Sequence, residues 1–177
     1  AHFWATSTKG QLLVRVGGVY QGERQRGEIE GLELNVSART PVPGLTLSAG
    51  YARLEGRTDS DGDGRVDSDL DGANISPNRL NLAGSYANGP ITARLQVQAF
   101  LSRSFDGQDP RNDFEGYTVV DGTIRYATRW GGLSLSVQNL LDEQYISYNS
   151  DVQRPTDNLR FYAGRGRTWT VGWDYAF

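Results

Sequence analysis

The sequence predicts an all-β fold, an antiparallel transmembrane β-barrel, and three observations predict it. Apolar and polar residues alternate with a period of two along nearly the whole chain, which is typical of strands with one apolar and one polar face. The polar face carries long charged side chains such as Glu33, Arg94 and Arg125, which suit a polar lumen. Short and long connections alternate, as they do in outer-membrane barrels, whose short turns face the periplasm.

About nine strands follow from this alternation. The first, at 2–9, has the weakest pattern. The others have apolar residues at every second position and lie at 11–20, 28–40, 45–51, 80–86, 91–99, 120–130, 133–137 and 167–177. Any one of these segments also fits a half-buried strand of a soluble sandwich, so the prediction depends on the whole series.

The connections between these strands fall into two classes. Short turns are predicted at 41–44, 88–90 and 130–132, and longer loops at 21–27, 57–78, 105–115 and 146–166. Bacterial single-chain barrels have even strand numbers, and nine antiparallel strands cannot close by the same ladder. The chain is therefore expected to be either a small barrel of eight or ten strands or part of a larger barrel.

Composition excludes several classes of function. The net charge of −3, from 21 acidic and 18 basic residues, argues against a nucleic-acid-binding protein. The chain has no Cys, and its one His is His2, so a thiolate site, a His-based triad and a multi-His zinc site are implausible within it. We expect no enzymatic activity.

The last eleven residues, 167–177, read RTWTVGWDYAF and alternate without interruption. This segment resembles the closing strand of outer-membrane barrels, in which the terminal aromatic residue belongs to the signal read by the barrel-assembly machinery. The side chains expected to face lipid and to carry this signal are Trp169, Trp173, Tyr175 and Phe177.

Five landmarks in order along the chain are similar to those of TonB-dependent outer-membrane receptors. They are Gly31–Leu34 (GLEL), Ile75–Leu82 (ISPNRLNL), Gly116–Asp121 (GYTVVD), Asn139–Tyr145 (NLLDEQY) and Gly164–Thr168 (GRGRT) before the final strand. The departures are small, because Leu141 stands where Phe is common and Ser76 precedes the Pro.

The resemblance implies that residues 1–177 are the C-terminal part of a barrel of about 22 strands, without the plug domain and the first half of the barrel. It also implies a location in the bacterial outer membrane, with lipid and the assembly machinery as partners. The family imports ferric siderophores, haem, cobalamin and other chelates, and TonB supplies energy through the plug. A ferric siderophore is the ligand we expect, since that subclass is the commonest.

The loop 57–78 is rich in Asp and predicts a calcium site. Asp at positions 1, 3 and 5, Gly at 6 and Asp at 9 match the start of an EF-hand loop, whereas position 12 is Leu70 instead of Glu. The candidate ligands are Asp59, Asp61, Asp63, Asp67, Asp69 and Asp71. The alternative is a solvated acidic loop in which Asp and Gly are ordinary turn residues.

The loops 105–115 and 146–166 combine Arg with aromatic residues, a mixture that suits an anionic aromatic chelate. The candidate ligand-binding residues are Arg103, Phe105, Tyr145, Tyr148, Arg154, Tyr162 and Arg165. The alternative for each of them is an interfacial aromatic belt with charged loop residues.

Two other functions stay open from the sequence. A complete small outer-membrane barrel, acting as an anchor, adhesin or pore with a calcium-stiffened loop, would be preceded by a signal peptide. A soluble β-sandwich would stay monodisperse without detergent, which a lipid-facing aromatic band should prevent.

Overall fold

The computed structural model describes residues 2–16, 19–59, 61–70, 75–106, 113–152 and 162–175, with side chains at 26–151 and 162–175 of these. They form one antiparallel sheet, which confirms the predicted fold class. Its strands are β1 (His2–Val16), β2 (Val19–Arg39), β3 (Leu45–Thr58), β4 (Ser68–Asp69), β5 (Arg79–Asn88), β6 (Ile91–Phe100), β7 (Tyr117–Thr128), β8 (Gly131–Gln138) and β9 (Thr168–Asp174). A short helix, α1 (Tyr148–Val152), lies between β8 and β9.

The eight long strands follow one another in chain order across the sheet, and the two-residue β4 pairs with β3. Every neighbouring pair is antiparallel, so the sheet is a meander. Within the described residues β1 pairs only with β2 and β9 only with β8. The sheet is thus open at both edges, and it gives no support to a small barrel that closes on itself.

The prediction was wrong at the first hairpin. The predicted strands at 2–9 and 11–20 are largely one strand, β1, and the predicted loop at 21–27 lies inside β2. The chain reverses between the paired residues Val16 and Val19. Residues 21–27 carry no apolar alternation, but six of these seven residues pair with β1 in the ladder.

The three predicted short turns are confirmed, and all lie at the same end of the sheet, the short-turn end. They join β2 to β3, β5 to β6 and β7 to β8. Gly44, Gly89 and Gly131 have positive φ in these turns, a conformation that glycine adopts without steric cost. The connections between β3 and β5, β6 and β7, and β8 and β9 lie at the opposite, long-loop end.

The two faces of the sheet differ as the alternation predicted. The apolar face is widely exposed, with Val36 at 68%, Leu95 at 50% and Val171 at 71% of full exposure. The other face is polar. There Arg125 forms an ion pair with Asp174 at 2.8 Å, and Arg94 donates to the Ser85 hydroxyl at 3.1 Å. An exposed apolar face of this extent has to be covered by another layer or by lipid.

Large buried residues gather at the long-loop end instead of between layers. Ile75, Phe105, Phe114 and Tyr148 are each at most 6% exposed. No helix among the described residues has the length and apolar character needed to span a membrane.

Candidate functional site

An aromatic cluster joins two of the long loops. Phe105, Phe114 and Tyr148 are buried together, with Phe100 and Tyr117 partly buried against them. The Phe114 ring meets Tyr148 edge to face at 4.9 Å between centroids, and it meets Tyr117 at 5.8 Å. Such contacts add to the burial of apolar area, so the loops after β6 and β8 are held against one another.

Hydrogen bonds tie the loop between β3 and β5 to this cluster. The Tyr148 hydroxyl donates to the Ile75 carbonyl, and the Arg103 guanidinium donates to the Leu54 carbonyl at 2.7 Å and to the Ser76 carbonyl at 3.2 Å. Three connections that are far apart in sequence therefore form one surface at the long-loop end.

Tyr145 is fixed between two neighbours. One side of its ring stacks on Tyr117 at 4.2 Å between centroids. Gly164 lies against the ring, so close that a Cβ on Gly164 would lie 2.0 Å from a ring atom, and the Gly164 amide donates to the Tyr145 carbonyl at 2.7 Å. The ring is therefore engaged by the protein itself.

Two cavities share the stacked pair Tyr117 and Tyr145 in their walls. The outer one, of about 770 Å³, has carboxylates at its rim from Asp113, Glu115 and Asp151. The inner one, of about 440 Å³, lies on the polar face of the sheet and is lined by Gln98, Phe100, Tyr117, Val119, Asp121, Gln138, Asn139, Tyr145 and Arg165. Tyr117 and Tyr145 thus lie between the loop surface and the polar face of the sheet.

A network of hydrogen bonds holds together the base of the loop between β8 and β9. Asn139 is 2% exposed, and its amide group donates to the carbonyls of Glu143 and Arg165, both at 2.9 Å. Its side-chain oxygen accepts from the Glu143 amide at 2.9 Å. Asp142 accepts from the Arg167 amide at 2.9 Å and approaches its guanidinium at 3.6 Å. Two of the sequence landmarks, 139–145 and 164–168, are thereby joined.

Three of the predicted calcium ligands lie close together in the acidic loop. Carboxylate oxygens of Asp59, Asp61 and Asp63 lie within 4.8 Å of one another. Asp59 is buried and accepts from the amides of Gly62 at 2.8 Å and Gly64 at 3.0 Å. Both glycines have positive φ, which brings the backbone round the carboxylates.

The remaining predicted ligands of this loop lie apart from the three. Asp67 is exposed, and Asp69, in β4, accepts the Asp106 amide at 3.0 Å. Asp71 lies outside the described residues.

The predicted ligand-binding residues that the structure describes occupy the same end of the molecule, but in different environments. Phe105 and Tyr148 are buried in the cluster, Tyr145 is stacked, and Arg103 is bonded to backbone and lies 5.2 Å from the Phe105 ring centre. Tyr162 is 69% exposed, and Arg165 is exposed and donates to Gln138 at 3.2 Å. Arg154 lies outside the described residues. Their role in binding stays a prediction.

Sequence reasoning missed Asn139, Phe114 and Tyr117 as organising residues. Phe114 and Tyr117 flank Glu115 and Gly116 where β7 begins, and this pairing of aromatics around a glycine was the available signal. The burial of Asn139 had no local signal, because it depends on Arg165, which is 26 residues away in sequence.

The final strand presents its aromatic residues on the exposed apolar face. Trp169 is 56% exposed, Trp173 72% and Tyr175 50%. Phe177 lies outside the described residues. Lipid contact and an assembly signal for these four residues remain predictions.

Known proteins resemble this chain in sequence and in structure. The ferric aerobactin receptor of Escherichia coli is 32% identical over 111 residues, which cover 58% of this chain and 14% of that protein. The copper transporter OprC matches 99% of this chain with 28% of its own, at a TM-score of 0.76 and 20% identity. The ferric-catecholate import receptor Fiu from E. coli matches 96% of this chain with 24% of its own, at a TM-score of 0.65 and 22% identity.

The two structural likenesses are below 25% identity and therefore show the fold alone. The chain spans about a seventh of the length of the ferric aerobactin receptor. The family model described as "TonB dependent receptor-like, beta-barrel" matches residues 4–140, most of the chain. This chain therefore belongs to the TonB-dependent receptor-like β-barrel family.

Proposed function

We propose that the natural protein takes up a ferric siderophore across the outer membrane in a TonB-dependent manner. This chain supplies the C-terminal part of the barrel wall and its external loops. The observation that carries the proposal is the family match over residues 4–140. Similarity to the ferric aerobactin receptor over 111 residues supports an iron chelate as the ligand.

The geometry gives each face of the sheet a part in this function. The exposed apolar face would lie against lipid, and the polar face would line the lumen that holds the plug. The long-loop end, with its gathered loops and two cavities, would face the outside and capture the chelate. Movement of the plug, driven by TonB, would then admit the ligand.

Exposure separates the predicted ligand-binding residues into two groups. Tyr162 and Arg165 are exposed and can contact a chelate directly, and the guanidinium of Arg165 suits an anionic one. Arg103, Phe105, Tyr145 and Tyr148 are engaged by neighbouring protein groups, and we assign them the role of holding the loops in shape.

Uptake of radiolabelled iron tests the proposal. A strain that lacks the gene receives the full-length gene and is given iron as a panel of ferric siderophores, with and without a functional TonB. Uptake of one chelate that requires both the gene and TonB is the expected result. Uptake that is independent of the gene for every chelate in the panel would exclude this function.

We also propose that Asp59, Asp61 and Asp63 bind Ca²⁺; of the other predicted ligands, Asp67 and Asp69 lie apart from these three. Ca²⁺ takes six to eight oxygen ligands, and three carboxylates within 4.8 Å of one another repel each other, a charge that Arg65, 4.0 Å from Asp63, offsets only in part. A bound cation would stiffen the loop that also carries Ile75 and Ser76, the partners of Tyr148 and Arg103.

Calorimetric titration of the full-length protein with Ca²⁺ and with Mg²⁺ tests this site. Asp61→Asn removes one ligand charge, and we expect it to weaken Ca²⁺ binding by about tenfold or more. Glu143→Gln is the control, since the Glu143 side chain is exposed and lies outside the loop. Equal heats of Ca²⁺ binding in the two variants would rule out the site.

A further inference from the structure

The two cavities at the long-loop end carry an excess of negative charge. The outer cavity, of about 770 Å³, has the carboxylates of Asp113, Glu115 and Asp151, and no cationic side chain lines it among the residues that the structure describes. The inner cavity, of about 440 Å³, has one carboxylate, Asp121, and one guanidinium, Arg165. A ligand that lies across both described walls therefore meets four carboxylates and one guanidinium, and so a negative field.

The contacts of these groups are with neutral partners. Asp113 accepts a hydrogen bond from a backbone amide at 3.3 Å, and Asp121 accepts one from a backbone amide at 2.9 Å. The guanidinium of Arg165 donates to the side-chain oxygen of Gln138 at 3.2 Å. Hydrogen bonds to neutral groups orient a charged side chain without neutralising it, so these contacts leave the excess of negative charge in place.

The sequence of the long loops has the same sign of charge. The three connections 57–78, 105–115 and 146–166 contain twelve acidic and six basic residues, which is a net charge of −6, whereas the whole chain has −3. A Ca²⁺ ion bound in loop 57–78 would still leave these connections at −4. The long-loop end is therefore acidic with or without that cation, and its field disfavours the approach of an anionic ligand.

Apolar surface lies beside the carboxylates of the outer cavity. Phe114, Tyr117, Tyr145 and Ile146 contribute to its walls. Cavities of roughly 300–1,000 Å³ hold organic ligands of moderate size, and the outer cavity falls within this range. An alkylammonium group suits such walls, because its methylene groups pack on apolar side chains while its charge pairs with a carboxylate.

We propose that the chelate taken up is a ferric trihydroxamate that carries a protonated amine, and that strongly anionic chelates are rejected. The inference rests on the proposed function, since it names the substrate class of that site. Three hydroxamate anions balance the charge of Fe³⁺, so the amine makes this chelate cationic, whereas three catecholate dianions leave a strongly negative complex. The charge of the folded site thus argues against the anionic aromatic chelate expected from the Arg and aromatic residues of the loops.

The two cavities would hold different parts of this chelate. The amine and its methylene chain would lie in the outer cavity, next to Glu115. The hydroxamate oxygens would accept hydrogen bonds from Arg165 and from the amide groups of Gln98 and Gln138 in the inner cavity. A tricatecholate would bring its negative charge close to the same carboxylates, and like charges that face one another weaken binding.

Binding of three ferric chelates to the full-length protein, purified in detergent and followed by quenching of tryptophan fluorescence, tests the proposal. The first is a linear trihydroxamate with a free amine, the second is the same molecule with its amine acetylated, and the third is a tricatecholate. The free amine should bind about fivefold more tightly than the acetylated form, which is the upper range for an exposed ion pair. The tricatecholate should bind most weakly.

Glu115→Gln should lower the preference for the free amine, because Gln keeps the size of the side chain and removes its charge. Glu143→Gln is the matched control, since Glu143 is exposed and lines neither cavity, and it should keep the preference. The ratio of the two affinities is measured within each protein, so a smaller amount of folded variant does not alter it.

Equal affinity for the free and acetylated amines, tightest binding of the tricatecholate, or the same preference in Glu115→Gln and Glu143→Gln would overturn the proposal. Iron uptake by a strain that carries the gene separates this result from the proposed function. TonB-dependent uptake of the tricatecholate alone would contradict only the substrate class. Uptake of no ferric chelate would contradict the proposed function itself.

Discussion

At the scale of single residues, Asn139 organises the base of the loop between β8 and β9. It has a φ of 50°, a left-handed conformation that Asn tolerates better than most residues, and it is almost fully buried. Its three side-chain hydrogen bonds connect the end of β8 to Glu143 and to Arg165. One side chain thus sets the position of an exposed Arg in the following segment.

Asn139→Ala should release the base of the loop between β8 and β9. Three hydrogen bonds are lost, at about 1 kcal/mol each, and the left-handed backbone becomes strained. Hydrogen exchange of the Glu143 amide should accelerate strongly while exchange in β8 stays unchanged. Asn149→Ala, at an exposed position in α1, is the control and should leave exchange as it is.

Gly164→Ala should break the stack of Tyr145 on Tyr117. The new Cβ would lie within the Tyr145 ring, so the ring has to move away from its place between the two cavities. Near-ultraviolet circular dichroism should show the loss of tyrosine asymmetry. In Gly166→Ala the Cβ is 3.6 Å from Asp142, an ordinary contact, so an equal spectral change there would contradict the explanation.

At the scale of elements, the strands are set by alternation and the turns by glycine. Apart from 11–20, which is divided between β1 and β2, the segments with clean alternation became strands at the predicted places, and the turn glycines have the positive φ that tight reversals require. The first hairpin was missed because residues 21–27 lack an apolar face. A ladder of backbone hydrogen bonds can extend a strand without one.

Gly131→Ala should impair pairing of β8 with β9. Gly131 has a φ of 122°, and a Cβ there would come within 2.1 Å of the Asp174 carbonyl oxygen. The strain amounts to about 1–3 kcal/mol, to which the clash adds. The amount of heat-modifiable, folded barrel on unheated gels should fall. Gly89 also has positive φ, but the space around its Cβ is open. In Gly89→Ala the amount of folded barrel should therefore fall less.

At the scale of the whole molecule, the sheet has one apolar and one polar face, which suit an apolar and an aqueous environment. Large apolar side chains are exposed on one face, and ion pairs and hydroxyl groups lie on the other. The buried aromatic cluster is confined to the long-loop end. This distribution is reversed relative to a soluble protein, and it is expected where lipid replaces a packed layer.

Val171→Arg should destabilise the barrel in membranes far more than Thr170→Arg. Val171 lies on the apolar face at 71% exposure, whereas Thr170 pairs with Ser136 on the polar face. A charge facing lipid near the midplane costs about 2–4 kcal/mol. Urea unfolding in lipid vesicles measures the difference, and equal stability of the two variants would show that the apolar face does not contact lipid.

The sequence by itself determined the antiparallel all-β fold, the two faces, the short turns and the family landmarks. These depend on period-two alternation and on glycine at tight reversals, both of which are local properties. Only the tertiary structure decided that Phe105 and Tyr148 are buried, that Tyr145 lies between Tyr117 and Gly164, and that Asn139 joins Glu143 to Arg165. These contacts join residues far apart in sequence, and their energy comes from burial and hydrogen bonding that no local pattern records.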